Sequence, residues 1–275
     1  MTKPFFPICF ALLVVSTSCE EKEQTEVPKK LTEYVDPFIG TGGHGHTFPG
    51  ATVPFGMVQP SPDNGTVGWD WCSGYHITDS IISGFGQLHL SGTGIGDLAD
   101  ILLMPTNTQM NLLHFGKSRD SLPYTSSFSH TKEQAKPGYY QVDLEDPEVS
   151  VELASNSHVA FHRYTYSNKQ QPSFILDLGY AVNWDAPVES ELALENANML
   201  VGYRHSTGWA RNQKIFFAIT TSAPMENAVL VKDGEVENSV KSVDGIKTGG
   251  QFFFPSNTDS VEVKVAVSSV SIANA

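Results

Sequence analysis

The sequence predicts an all-β fold, a large two-sheet antiparallel β-sandwich, on three observations. Apolar runs of strand length recur between residues 53 and 267, bounded by Gly, Pro, Asn or Asp. In one of them, Val261-Glu-Val-Lys-Val-Ala-Val267, every second residue is Val, which buries one face and leaves the other mostly wet. No apolar pattern sustains an amphipathic helix of three or more turns. Half-apolar strands without helices to cover them bury their apolar faces against a second sheet.

In chain order, strands are expected at residues 53–59, 99–104, 139–144, 149–153, 159–166, 174–178, 192–194, 199–204, 215–220, 251–254 and 261–267. Residues 77–82 are read as one short helix. Asp233-Gly234 and Asp244-Gly245 are hairpin-turn signals, because both central positions of such a turn need positive φ. There is no internal repeat and no domain-scale linker, so residues 33–275 are read as one sandwich domain.

Ahead of that domain the chain has a different character. Lys3, a short apolar run at residues 8–15 and Ser16-Thr-Ser-Cys19 read as a secretory signal peptide over residues 1–18. The run is too short to span a bilayer. Cys19 stands where a lipoprotein signal peptidase would leave an N-terminal Cys for acylation. Ser16 replaces the aliphatic residue usual three places earlier, so a plain signal peptide cut near Ser18 is the alternative. Residues 19–32 begin Cys-Glu-Glu-Lys-Glu and read as a flexible acidic tether. The expectation is an exported outer-membrane lipoprotein, displayed on the cell surface or held in the periplasm, touching membrane through the lipid alone. Cys9 lies in the leader and Cys19 is the candidate lipid site. Only Cys72 remains, and no intrachain disulfide can form.

Charge excludes one class of partner. The chain carries 17 Lys and Arg against 30 Asp and Glu, a formal net charge of −13, and such a surface repels phosphate backbones. No nucleic-acid partner is expected. A neutral carbohydrate meets no such penalty.

The chemistry-bearing residues crowd between Tyr34 and Thr106. Gly40-Thr-Gly-Gly-His-Gly45 has the spacing of a dinucleotide-binding loop, but Pro49 and Pro54 follow where that loop needs a helix. Its glycines are read instead as positive-φ positions that let backbone approach a neighbour or ligand. His44 and His46, with His76 and His89, suggest a zinc site, since residues two apart in an extended segment point the same way. Spacing fixes no third ligand, and hydrogen bonding is the favoured role. Trp69, Asp70, Trp71 and Tyr75 form the pairing usual in neutral-sugar sites: aromatic faces stack on pyranose C–H faces, and a carboxylate accepts from hydroxyls. If residues 69–71 are extended, the two Trp rings share one side as a platform. Asp97 and Asp100 have the residue types of an acid–base pair for glycoside hydrolysis. Their favoured reading is that they cap turns or accept backbone N–H groups.

Longer motifs carry a resemblance. Tyr34-Val-Asp-Pro-Phe-Ile-Gly-Thr-Gly-Gly-His-Gly-His-Thr-Phe-Pro-Gly-Ala51, Pro54-Phe-Gly-Met-Val-Gln-Pro-Ser-Pro-Asp63, Gly74-Tyr-His76 and His89-Leu-Ser-Gly-Thr-Gly94 resemble glycoside hydrolase family 92. Pro137-Gly-Tyr-Tyr140, Phe161-His-Arg-Tyr-Thr165, Gly202-Tyr-Arg204 and Ser206-Thr-Gly-Trp209 extend the match. The resemblance implies an exo-acting, calcium-dependent α-mannosidase that inverts the anomeric centre and acts on mannose-containing glycans. It implies an N-terminal β-sandwich joined to a C-terminal α/α-barrel that holds the acid, the base and the calcium ligands. For this chain it implies sugar-subsite roles for Trp69, Asp70 and Trp71, with Tyr75 and His89 behind them. The sequence stops where that barrel should begin. The expectation is therefore a fragment without catalytic residues of its own, with a free-standing carbohydrate-binding module as the alternative.

Overall fold

A computed structural model describes residues 1, 29–65, 68–112, 122–168 and 170–275. The leader, Cys19 and the tether up to residue 28 lie outside the described residues. Residues 31–275 make up one folded unit. It holds seventeen described strands and no described α-helix, only single 3-10 turns such as Leu31–Tyr34 and Trp69–Trp71.

Two antiparallel sheets form the sandwich. The seven-stranded sheet runs β1 (Ser61–Asp63), β3 (Gly84–Gly86), β4 (Leu102–Thr106), β9 (Ser173–Asp177), β16 (Thr248–Phe253), β13 (Asn227–Lys232) and β14 (Glu235–Glu237). The ten-stranded sheet runs β15 (Ser242–Gly245), β10 (Ala186–Asn196), β11 (Met199–Thr207), β12 (Gln213–Thr221), β17 (Ser260–Ser268), β8 (Val159–Tyr166), β7 (Val149–Ser155), β6 (Tyr139–Leu144), β5 (Ser126–Lys136) and β2 (Ile81–Ile82). The Val-alternating strand is its seam. β17 pairs with β12 on one side and β8 on the other, and so joins two separate meanders, β5–β8 and β10–β12. Val261, Val263, Val265 and Val267 are buried while Glu262 and Lys264 face water. That is the division the alternation predicts, and burying each Val side chain contributes about 1.5–3 kcal/mol before chain entropy is counted. In the seven-stranded sheet, Phe174 stacks on Phe252 at 5.3 Å and on Phe254 at 5.7 Å between ring centroids.

Four local expectations are corrected. Residues 53–59 form turns rather than a strand, since Pro54 lacks an N–H for a ladder and Phe55 has φ 60°. The strand expected from residue 99 starts at Leu102, because Ala99 and Ile101 both have positive φ. Residues 77–82 contain β2 and no helix. Asp244-Gly245 ends β15, which pairs with β10, and is no hairpin turn. Asp233-Gly234 does form one: φ is 50° and 89°, and Lys232 faces Glu235 across the tight β13–β14 turn.

Beneath the loop-bearing end lies a buried polar chain. His162 on β8 holds Gln87 Oε1 at 3.0 Å through Nε2 and accepts the Tyr164 hydroxyl at Nδ1, also 3.0 Å. Gln87 Nε2 in turn donates to Phe85 O and Ile101 O. Burial pushes the His162 imidazole down to about 3, so it stays neutral and spans the sheets as a hydrogen-bonding post.

Candidate functional site

Three loops at one end of the sandwich build the site. In the first, Gly40 and Gly43 take φ 85° and 57°, and Thr47 N–H donates back to Gly40 O at 3.3 Å. The loop closes so tightly that a Cβ on Gly45 would lie 2.1 Å from Gly40 O. His46, at φ 54°, turns inward and is buried, while the His44 side chain stays 71% exposed. The second loop carries Trp69–Trp71, and the third runs from His89 to Asp100.

These loops bond to one another. His44 Nδ1 donates to Asp70 Oδ1 at 2.6 Å, and His46 Nε2 lies 3.7 Å from the same oxygen. The Trp69 ring packs on both imidazoles, 4.9 Å from His44 and edge-on at 4.4 Å from His46. Trp69 Nε1 donates to Gly94 O at 2.9 Å, and Gly92 N–H donates to His46 O. The His44 hydrogen bond holds the Asp70 carboxyl below its usual range, so it is ionised and ready to accept. Trp69 remains 53% exposed.

The two tryptophans do not share a platform. Residues 69–71 form a 3-10 turn instead of an extended segment, which swings alternate side chains apart. Trp71 is half-buried, stacks near His76 at 4.9 Å and donates to Asp79 Oδ2 at 3.1 Å. Tyr75 is buried and its hydroxyl donates to Glu133 Oε2 at 3.0 Å. His89 is also buried, between Gln59 O at 2.8 Å and Asp63 Oδ2 at 3.2 Å. Trp69 and Asp70 thus present surface to solvent, whereas Tyr75 and His89 support the loops from beneath.

Asp97 accepts backbone N–H groups, from Leu98 at 3.2 Å and from Ala210 at 2.7 Å. Asp100 departs from the turn-capping expectation: it is wholly buried and receives the side chains of Arg204 and Gln213. Neither carboxylate is free to act as acid or base. Two residues that sequence reasoning left out of the site stand beside it. Asn183 Nδ2 donates to Gly68 O at 3.1 Å, which brings the loop of Trp184 against that of Trp69. The Asp97–Ala210 bond brings in the loop of Trp209. Trp184 and Trp209 are 57% and 71% exposed. The signal that finds them is a large aromatic set among turn residues, Asn183-Trp-Asp185 and Gly208-Trp209, where no core contact calls for one.

Among the described residues, one group of His, Asp, Glu and Cys side chains converges as metal ligands would: His44, His46 and Asp70, with donor atoms all within 4.8 Å of one another. Two imidazoles and one carboxylate do not fit calcium, a hard cation that takes six to eight oxygen donors.

The sequence profile of the glycosyl hydrolase family 92 N-terminal domain matches residues 34–268. A family 92 α-mannosidase from Bacteroides thetaiotaomicron, solved alone and with mannoimidazole, is 33% identical, with TM-scores of 0.83 and 0.82 over 89% of this chain. A family 92 inverting mannosidase from the same organism shares the fold at TM-score 0.72 and 24% identity over 90% of this chain. An uncharacterised secreted glycosidase of Arthroderma benhamiae is 28% identical over 158 residues, 54% of this chain. The chain spans about a third of the length of those solved structures, 33–34%, and 20% of the fungal protein. With its two-sheet sandwich and its loop cluster matched along their length, the chain belongs to glycosyl hydrolase family 92, whose N-terminal domain it carries over residues 34–268.

Proposed function

We propose that this domain forms one wall of the sugar site of an exported α-mannosidase acting on terminal α-mannosyl linkages with inversion. The observation that carries the reading is a set of exposed tryptophans on hydrogen-bonded loops: Trp69 beside the ionised Asp70, Trp184 on the loop that Asn183 ties to Gly68, and Trp209 on the loop that Ala210 ties to Asp97. Aromatic faces and one accepting carboxylate orient a neutral pyranose. Inverting hydrolysis also needs a general acid and a base on opposite faces of the ring, about 6.5–9.5 Å apart. Two carboxylates of the third loop, Asp97 and Asp100, are committed to internal bonds. The acid, the base and the oxygen ligands for calcium are assigned to a partner α/α-barrel domain. Mannose is oriented here and cleaved by groups the barrel supplies.

Two measurements test this. Incubated with an α-mannoside, with or without calcium, the purified chain releases no mannose; calcium-dependent release would overturn the division of labour. Titration with mannose, followed by tryptophan fluorescence, gives weak binding on the order of millimolar, because half a cleft offers few convergent contacts. Trp69→Ala abolishes the change. Tight binding to the chain alone would instead favour a free-standing carbohydrate-binding module.

A further inference from the structure

We propose that His44, His46 and Asp70 form a site for a divalent transition-metal ion, zinc foremost, separate from any calcium used in glycan cleavage. Three features of the site support it. The donors His44 Nδ1, His46 Nε2 and Asp70 Oδ1 converge within 4.8 Å from two loops. His46 Nε2 is buried, has no hydrogen-bond partner, and sits 3.7 Å from Asp70 Oδ1, too far for a hydrogen bond between them. An orphaned buried ring nitrogen has lost its water and gained nothing in exchange unless something binds it. His46 moreover holds its ring in place from a left-handed backbone, φ 54°, a conformation that is itself unfavourable for a non-glycine residue.

The donor set decides the ion. Two imidazole nitrogens and a carboxylate oxygen suit zinc and its first-row neighbours and disfavour calcium and magnesium. Zinc bonds of about 2.0–2.2 Å place tetrahedral ligand atoms ~3.3–3.6 Å apart. The His46–Asp70 separation is already 3.7 Å. His44 must give up its 2.6 Å hydrogen bond and shift by about 1 Å, away from Asp70 and to within ligand spacing of His46, from which it now lies within 4.8 Å; an exposed side chain beside Gly43, with open space around it, can do this. Trp69 packs on both imidazoles as an apolar shell on one side. The side of His44 away from it is open to solvent, so the fourth position is left for water, as in sites that exchange a ligand. The spacing of His44 and His46 supplies two ligands; the fold supplies the third from 24 residues beyond His46, through the 3-10 turn at Trp69–Trp71.

The test uses the 275-residue chain without an affinity tag and with no glycan present. Cobalt(II) is titrated in and followed by its visible absorption, then displaced with zinc. The expected result is one strong site with the intense bands of a tetrahedral centre, bleached by zinc. His44→Gln changes an exposed side chain and keeps the fold, and it lowers affinity by about 10-fold or more, as does His46→Gln. His158→Gln, at an exposed histidine outside the cluster, leaves affinity unchanged. An absence of cobalt and zinc binding by the wild-type chain would overturn the site, leaving the His44–Asp70 contact as a hydrogen bond only. So would binding that survives His44→Gln undiminished. Neither outcome bears on the sugar-wall reading, because no sugar enters the measurement.

Discussion

Arg204 and Asp100 form an ion pair in which both side chains are wholly shielded from solvent. The same guanidinium reaches Asp185, also shielded, and donates to Leu178 O at 3.0 Å and Tyr180 O at 3.1 Å. Arg204 stands on β11, Asp100 ends the loop that carries Gly92 and Gly94, and Asp185 follows Trp184. One side chain of the ten-stranded sheet therefore pins one of the three loops that build the site together with the Trp184 loop beside it.

Removing that cation should be among the most damaging single changes to the domain. Arg204→Met keeps the packing volume roughly but leaves two buried carboxylates without a counter-charge and two carbonyls without a donor. Breaking one partner of a buried pair costs about 3–5 kcal/mol. Urea unfolding at neutral pH is expected to show a loss of that order. A loss under about 1 kcal/mol would mean that the loops are held by other contacts.

The pair of carboxylates around one cation also sets a pH dependence. Burial pushes the Asp185 carboxyl up to about 6; the Arg204 guanidinium pulls it down and the neighbouring Asp100 pushes it up again. Asp185 Oδ1 is buried with no hydrogen-bond partner, so the ionised form is poorly served there. The folded state thus holds a proton at a pH where the unfolded chain, with an ordinary carboxyl near 3.8, has lost it. The stability this gives is fully present below about pH 4 and is lost as pH rises through about 6. Asp185→Asn fixes the neutral form. The difference in unfolding free energy between wild type and variant is expected to move by roughly 2–3 kcal/mol between pH 4 and pH 7.5, with the wild type losing ground as pH rises. A flat difference curve would place the proton elsewhere.

The central strands are legible in the sequence because their apolar residues alternate. Residues 139–144 and 159–166 coincide with β6 and β8, and the Val run lies inside β17. β5 escapes such a reading because Ser-Ser-Phe-Ser-His-Thr-Lys-Glu-Gln-Ala-Lys has no clean period, and a register shift between Phe128 and Glu133 breaks what period there is. β10 shows itself only at residues 192–194 for the same reason: its pairing with β11 slips at Pro187 and again near Asn196. The site is legible as motifs and not as geometry. Local sequence marks Gly40–Gly45 and Trp69–Trp71 as special. It does not say that residues 69–71 wind into a 3-10 turn, and that winding separates Trp71 from Trp69 and delivers Asp70 to His44 and His46. Arg204 enters only inside a family motif, since nothing local shows that a strand arginine faces the core.

The glycines of the first loop are not equivalent, and their difference tests how the site is built. Gly43 has φ 57° but open space around an added Cβ, so Gly43→Ala meets only the left-handed backbone cost of about 1–2 kcal/mol. Gly45 has no positive φ, yet its Cβ would fall 2.1 Å from Gly40 O and 2.7 Å from Gly40 C, both backbone atoms with no rotamer to yield. Gly45→Ala must therefore open the turn closed by the Thr47 N–H to Gly40 O bond. That carries His44 and His46 away from Asp70 and Trp69. The expected loss is roughly 2–4 kcal/mol of stability, with faster amide exchange at Thr47 and a weaker fluorescence response of Trp69 to mannose. Gly43→Ala keeps that exchange protection. If Gly45→Ala proves at least as stable as Gly43→Ala and leaves Thr47 protected, the close backbone approach at Gly40 is not what shapes the loop.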